Sequence, residues 1–181
     1  TLSRITDWED RNTCVLFADG AGAAILKPSE DPGIIYSKLG ANGAYSDLLY
    51  VPYGTSKRPL KEQRNDNFLQ MKGNEVFKVA VKTLESIAKD SLKEVNMTSE
   101  DIDWFIPHQA NIRIIQAVSK RLNIPEKKVI ISLTDHGNTS AASIPLALDQ
   151  SIREGKIKTG DTVLLQSFGA GFTWGTVIIK I

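Results

Sequence analysis

Apolar positions between Asn74 and Val95 recur at steps of three and four: Phe77, Ala80, Val81, Leu84, Ile87, Ala88, Leu92 and Val95. That spacing lines one wide face and predicts a long amphipathic helix. Asn111 to Leu122 repeats the pattern with Ile115, Val118 and Leu122 on its buried side. "TSAASIPLALDQSIREG" predicts a third helix, with a Ser/Thr-rich start, Pro145 in its early part and Gly155 as its stop. Between these lie short, continuously apolar runs. Trp104, Phe105 and Ile106 predict a buried strand, "GIIYSKLGANG" another, and "KKVIISLTDHGN" a third that runs into a Gly/Asn turn. Two segments flank a Gly-Ala-Gly with β-rich runs: Thr13 to Pro28, and Asp161 to Ile181. Glycine supplies the positive φ of a tight reversal, so both predict hairpins. Their likeness is shared turn chemistry rather than a repeat. Val51 to Asn67 is polar and charged, and predicts a solvated loop whose Lys57, Arg58, Lys61 and Arg64 face water.

Strands alternate with helices through the middle, with hairpins near both ends. The fold class expected is α/β: a sandwich whose mixed sheet carries helices on both faces. A chain of 181 residues, 41% hydrophobic and 24% charged, has enough apolar sequence for the core of one domain. The net charge of +1 argues against bulk nucleic-acid binding. No apolar run approaches the ~20 residues of a membrane helix. One cysteine rules out a disulfide framework within the chain and fits a reducing compartment. The opening "TLSRITDWEDRNT" has no signal-peptide pattern. It starts on Thr1, which fits a truncated chain, or a trimmed small protein.

Polar chemistry concentrates at three predicted strand ends: His108 and Asn111 in "PHQAN", His136, Gly137 and Asn138 in "DHGNTSAAS", and Ser167 to Gly175. Ligands of open α/β sheets gather at such ends. Taken singly, each feature has a plain reading. His108 caps or fills the core, His136 is a turn residue, and Asn138 or Thr139 caps a helix. Together they suggest more. A neutral His and an Asn amide offer N–H donors to one oxygen, and a Gly-rich turn offers another. Without a carboxylate pair, such a set suits an enolate or tetrahedral oxyanion, each donor contributing about 2.7–4 kcal/mol. Acyl transfer or carbon–carbon condensation follows as the expected chemistry. Cys14, inside "NTCVLFAD", reads as a small buried strand residue rather than a nucleophile. Ser140 and Ser143 lack a nucleophile-elbow motif and read as helix-start residues.

"FADGAGAAIL", "MKGNEVFKVAV", "DWFIPHQANIRI", "DHGNTSAASIPLAL" and "SFGAGFTWG" together resemble the C-terminal half of β-ketoacyl-acyl-carrier-protein synthase III. That is the condensing enzyme that starts type II fatty-acid synthesis in the bacterial cytoplasm. The likeness runs from about Asp10 to Ile181. It implies a thiolase-like half with a mixed five-stranded sheet, and a Cys-His-Asn triad. His108 matches the family's catalytic His and Asn138 its catalytic Asn, whereas Cys14 does not match the nucleophile. The resemblance thus implies a catalytic half-domain, residues 1–181, whose nucleophile belongs to an N-terminal half absent here; the chain alone is expected to be inactive.

By the same resemblance Ala170 supplies an oxyanion-hole N–H. Gly73, Phe77, Ala110, Asn111 and Ile114 line the tunnel for the pantetheine of coenzyme A, and Phe168 lies beside the catalytic pocket. Lys78, Arg113, Lys120 and Arg121 match positions that meet acidic acyl carrier protein. Arg113 and Lys120, seven apart, share a helix face. No cofactor or metal is implied, since coenzyme A thioester and phosphopantetheine act as substrates. The implied partners are acyl carrier protein, acyl-CoA, the N-terminal half and, in the intact enzyme, a second copy; neither nucleic acid nor membrane is among them. Loss of one half would bare an apolar face and drive association. Two alternatives stay open: a non-catalytic module that binds acyl carrier protein or pantetheine, and a related ketosynthase of secondary metabolism.

Overall fold

The computed structural model describes residues 1–31, 33–52 and 68–181. Most of the predicted loop, with Lys57, Arg58, Lys61 and Arg64, lies outside the described residues.

The main sheet has the order β1-β6-β5-β4, built from β1 (Ile34–Ala41), β4 (Trp104–Pro107), β5 (Thr162–Gly169) and β6 (Thr173–Lys180). β1 and β5 run antiparallel to β6, while β4 runs parallel to β5, so the sheet is mixed as expected. β2 (Leu49–Tyr50) and β3 (Gln70–Met71) form a separate two-stranded ladder ahead of the first helix. The helices are α1 (Gly73–Glu94), α2 (Ile112–Arg121), the single turn α3 (Leu133–His136) and α4 (Ser143–Arg153).

Alternation along the strands sorts side chains to two cores. Phe105 and Leu164 point to the face covered by Val76, Ala80, Leu84 and Ala88 of α1 and Val118 of α2. Ile106 and Val163 point to the opposite face, against Ala147 of α4. Helices thus cover both faces. The two periodic helices of the sequence are therefore the two that pack side by side, and each buries the stripe its spacing defines. The Asp161–Ile181 hairpin forms, with Leu165 opposite Val177 in its ladder.

Four expectations fail. Thr13–Pro28 is not a hairpin: residues 18–29 have no regular structure, and Phe17 makes one parallel bridge to Asn138. Its glycines permit close approach rather than reversal. A Cβ on Gly20 would lie 2.9 Å from the Thr139 side chain, and one on Gly22 would collide with the Pro145 ring. The segment thus lies against the start of α4 instead of folding on itself, and Ile25 and Leu26 stay 96% and 79% exposed. "KKVIISL" is not a strand either. Val129 makes a single parallel bridge to Phe105 and α3 follows. Past β4, the Gln109 side chain takes the ladder's place: its amide donates to Ile130 O (3.2 Å) and accepts from Ser132 N (2.9 Å). Among the described residues the sheet consequently has four strands rather than the expected five, and the Val129 bridge marks where the fifth would lie. Finally, Cys14 sits half-buried in a turn, not in a strand.

Candidate active site

His108 follows the last residue of β4, and its backbone N–H donates to Gln166 O of β5 at 2.7 Å. The parallel pairing of Pro107 with Gln166 thus carries the register up to the histidine itself. Next to it, Gln109 is fully buried, and its amide spans Pro107 O (2.7 Å), Ile130 O and Ser132 N. This side chain clamps the strand end to the turn before α3. His108 keeps part of its surface open at the cleft, yet the protein packed round its imidazole desolvates the ring and lowers its pKa from 6.5 to about 4, so it is neutral at pH 7. Its Nδ1 lies 2.6 Å from Ser143 Oγ, the first residue of α4. Among the described residues nothing bonds Nε2.

Asn138, 7% exposed, is held from both sides. Its backbone N–H donates to Leu16 O (3.0 Å) and its carbonyl accepts from Ala18 N (2.9 Å). The Oδ1 accepts from Ser140 N at 2.9 Å. A backbone N–H can only donate, so this bond fixes which end of the amide is oxygen. Nδ2 is left with its two hydrogens and no acceptor among the described residues. Ser140 holds this turn with φ at 54°, the left-handed region that a residue with a side chain rarely occupies.

An open cleft of about 700 Å³ has His108, Ser140, Ala141, Phe168, Gly169 and Trp174 among its walls. The three predicted strand ends therefore meet at one place: the ends of β4 and β5 and the turn that leads into α4. Asn138 itself is not among the wall residues; its tie to the cleft is the bond its Oδ1 accepts from the N–H of Ser140, which is one of them. Ala170 is exposed in the β5–β6 turn; its carbonyl accepts from Thr173 Oγ1 (3.0 Å), and its N–H has no acceptor among the described residues. Phe168 is buried and packs at a tilt against Phe172, ring centroids 4.6 Å apart and planes 58° from parallel.

Gly73, Phe77, Ala110, Asn111 and Ile114 do not wall this cleft. They sit instead at the N-terminal ends of α1 and α2. Phe77 and Ile114 pack against the same core, and Asn111 caps α2 by accepting from Arg113 N at 2.8 Å. Arg113 and Lys120 are exposed on α2 with no ion pair among the described residues. Arg121 instead pairs with Glu85 at 2.8 Å. Lys78 lies on α1 beside a second cleft, walled also by Lys38, Lys82, Asp90 and Trp174. His136 ends α3 beside Gly137, at φ 65°, which is the turn role expected of it.

Sequence reasoning missed Gln109 and the part of Ser143. A buried amide beside a histidine at a strand end was the available signal for the first. Ser143 had none, because its contact to His108 spans 35 residues.

Two family models match the chain: the C-terminal part of 3-oxoacyl-[acyl-carrier-protein] synthase III over residues 92–181, and 3-oxoacyl-[acyl-carrier-protein] synthase III over residues 1–43. The β-ketoacyl-[acyl-carrier-protein] synthase III of Alkalilimnicola ehrlichii is 53% identical over 180 residues, which is 99% of this chain and 56% of that protein. The crystal structure of the Aquifex aeolicus 3-oxoacyl-[acyl-carrier-protein] synthase III superposes with a TM-score of 0.90 at 44% identity, over 99% of this chain and 55% of that one. A priming β-ketosynthase from a polyketide biosynthetic pathway gives a TM-score of 0.92 at 35% identity, over 99% and 54%. The chain thus spans about half the length of the relatives it matches, and it shares their thiolase-like fold. On this sequence likeness and this fold, the chain belongs to the 3-oxoacyl-acyl-carrier-protein synthase III family.

Proposed function

We propose that the chain is the C-terminal half of a condensing acyltransferase that starts fatty-acid synthesis, and that His108 and Asn138 are its decarboxylation donors. The observation that carries this is how the two side chains are tied. His108 is engaged through Nδ1 and Asn138 through Oδ1, which leaves Nε2 and Nδ2 without a partner among the described residues. A neutral imidazole can donate from Nε2 with no proton lost to bulk water, and burial keeps it neutral.

The chemistry follows from those two donors. Malonyl on acyl carrier protein enters with its thioester carbonyl toward them. The bond to the carboxylate breaks, carbon dioxide leaves, and the electron pair moves onto the carbonyl oxygen as an enolate. Two N–H groups stabilise that charge more than they stabilise the neutral carbonyl. The enolate carbon then attacks the acyl thioester on the enzyme, the new carbon–carbon bond forms, and the cysteine leaves as thiolate. Ala170 N–H would hold the oxyanion of that second step. On this reading the cysteine comes from the N-terminal half of the enzyme rather than from Cys14, which sits half-buried in a turn, and the chain by itself would not condense. Acyl-CoA supplies the acyl group and needs no further cofactor. Gly73, Phe77, Ala110, Asn111, Ile114 and Phe168 line the pantetheine route, and Lys78, Arg113 and Lys120 meet the acidic carrier. Arg121 contributes less, because Glu85 already holds it. The intact enzyme is a cytoplasmic homodimer.

A second reading, a ketosynthase of secondary metabolism with the same donors, is supported by the close fit to the polyketide priming enzyme. The higher identity to the fatty-acid relative favours the first. Condensation of acetyl-CoA with malonyl-carrier-protein by the full-length enzyme, compared with His108→Ala and Asn138→Ala, tests the assignment. Wild-type condensation in both variants would refute it.

A further inference from the structure

The donor reading requires a proton on His108 Nε2, but burial alone keeps the ring neutral without saying which nitrogen carries that proton. The hydrogen-bond geometry around Ser143 decides it. Ser143 Oγ lies 2.6 Å from His108 Nδ1 and also receives the Gln109 N–H at 3.3 Å. A hydroxyl has one hydrogen and two lone pairs. Gln109 N–H takes one lone pair, so what remains is one hydrogen and one lone pair for a single neighbour, Nδ1.

Two arrangements are possible. If Nδ1–H donated to Oγ, the hydroxyl hydrogen would need another acceptor. Serine in a helix ordinarily finds one in the carbonyl four residues back, as Ser91 does with Ile87 O at 2.7 Å. The equivalent carbonyl for Ser143 is that of Thr139, which accepts Ala142 N (3.2 Å) and, among the described residues, no bond from Ser143 Oγ. At 1% exposure, Ser143 is closed to bulk solvent as well. An orphaned buried donor is disfavoured. The other arrangement satisfies every group: the hydroxyl donates to Nδ1, which is then unprotonated, and the ring proton sits on Nε2.

We propose that Ser143 is a positioning residue that holds the His108 proton on Nε2, with the Gln109 N–H fixing the hydroxyl's own orientation. The proposal deepens the donor reading and rests on it for its catalytic meaning, but the tautomer can be measured separately. Gln109 can serve as that anchor because its side chain is tied at three backbone points and leaves its N–H no freedom to turn away.

Nitrogen NMR of the 181-residue chain tests this, since only His108 and His136 contribute imidazole signals. At pH 7 the wild-type His108 should show an unprotonated Nδ1 and a protonated Nε2. Ser143→Ala should shift it toward a mixture of tautomers, Ser143→Thr should restore the single form, and His136 should not change. A proton on Nδ1 in the wild type overturns the proposal, as does an unchanged tautomer in Ser143→Ala. Should Ser143→Ala unfold, the wild-type spectrum and Ser143→Thr still decide. In the full-length synthase, Ser143→Ala should lower kcat for decarboxylation by less than the ~10²–10³-fold of a lost oxyanion donor, with KM little changed. If His108→Ala keeps its decarboxylation rate while the tautomer responds to Ser143, the donor reading fails and the positioning role stands.

Discussion

The Nδ1 of His108 meets the hydroxyl of Ser143 at 2.6 Å, joining the end of β4 to the first residue of α4. One bond thus fastens the two segments that bring the polar groups of the cleft together. It also explains why a histidine left neutral by desolvation is not a loose core residue: one nitrogen is anchored, and among the described residues nothing bonds the other.

Burial of His108 makes stability depend on pH. Its folded pKa, about 4, lies below the unfolded value of 6.5, so protons bind the unfolded chain first as pH falls. The stabilisation is full above pH 6.5 and is lost as pH falls toward 4, by up to about 3 kcal/mol before allowance for partial solvent access. Thermal unfolding should therefore show Tm falling between pH 6.5 and 4.5 more steeply in the wild type than in His108→Gln.

Gln109 should be a stability hot spot although it touches no substrate. Gln109→Leu keeps the volume but orphans Ser132 N, Ile130 O and Pro107 O in the interior. A cost of about 3 kcal/mol follows from unpaired buried backbone groups, read as a lower midpoint in urea with an unchanged slope.

Ser140 carries strain that its neighbours impose. With φ at 54°, Ser140→Gly should leave stability the same or raise it, while Ser140→Val should lower it by about 1–3 kcal/mol. Denaturant unfolding of the two variants side by side gives the comparison, and the reverse order would be inconsistent with the left-handed turn.

Close packing of Gly22 on α4 predicts the effect of one methyl group. Gly22→Ala collides with the Pro145 ring and should lift the 16–22 segment from α4 at a cost of about 1–3 kcal/mol. Hydrogen exchange reads this at the Ala18 N–H, bonded to Asn138 O at 2.9 Å, which should lose protection.

Much of this was legible from spacing. The periodic apolar residues of α1 and α2 bury the faces they define, because helix periodicity is a local property. The hairpin of β5 and β6 followed from the same local logic. Thr13–Pro28 misled because the identical Gly-Ala-Gly serves close approach to Pro145, a neighbour that no window of sequence shows. "KKVIISL" has strand composition, yet a single glutamine 21 residues upstream of Ile130 occupies the backbone groups a ladder would use. His108 and Asn138 were visible as residue types at element ends. What each is tied to was not, since Leu16, Ala18 and Ser143 all come from distant parts of the chain.

Carrier binding separates the cations without an ion pair among the described residues from the paired one. Arg113→Glu in the full-length enzyme should weaken binding of acyl carrier protein while sparing acyl transfer from coenzyme A, and more so at low salt. Arg121→Glu should weaken it less, since Glu85 already neutralises that guanidinium. Equal loss of carrier binding and acyl transfer in Arg113→Glu would contradict a docking role.

The most direct test is decarboxylation of malonyl-carrier-protein by the full-length enzyme, measured without an acyl primer in His108→Ala, Asn138→Ala and the double variant. If Nε2 and Nδ2 hold one enolate oxygen, each single variant should lose about 10²–10³ in kcat. The double variant should lose less than the product of the two, as groups that act as a unit do. Wild-type decarboxylation in either single variant would contradict the pairing of His108 and Asn138 as donors.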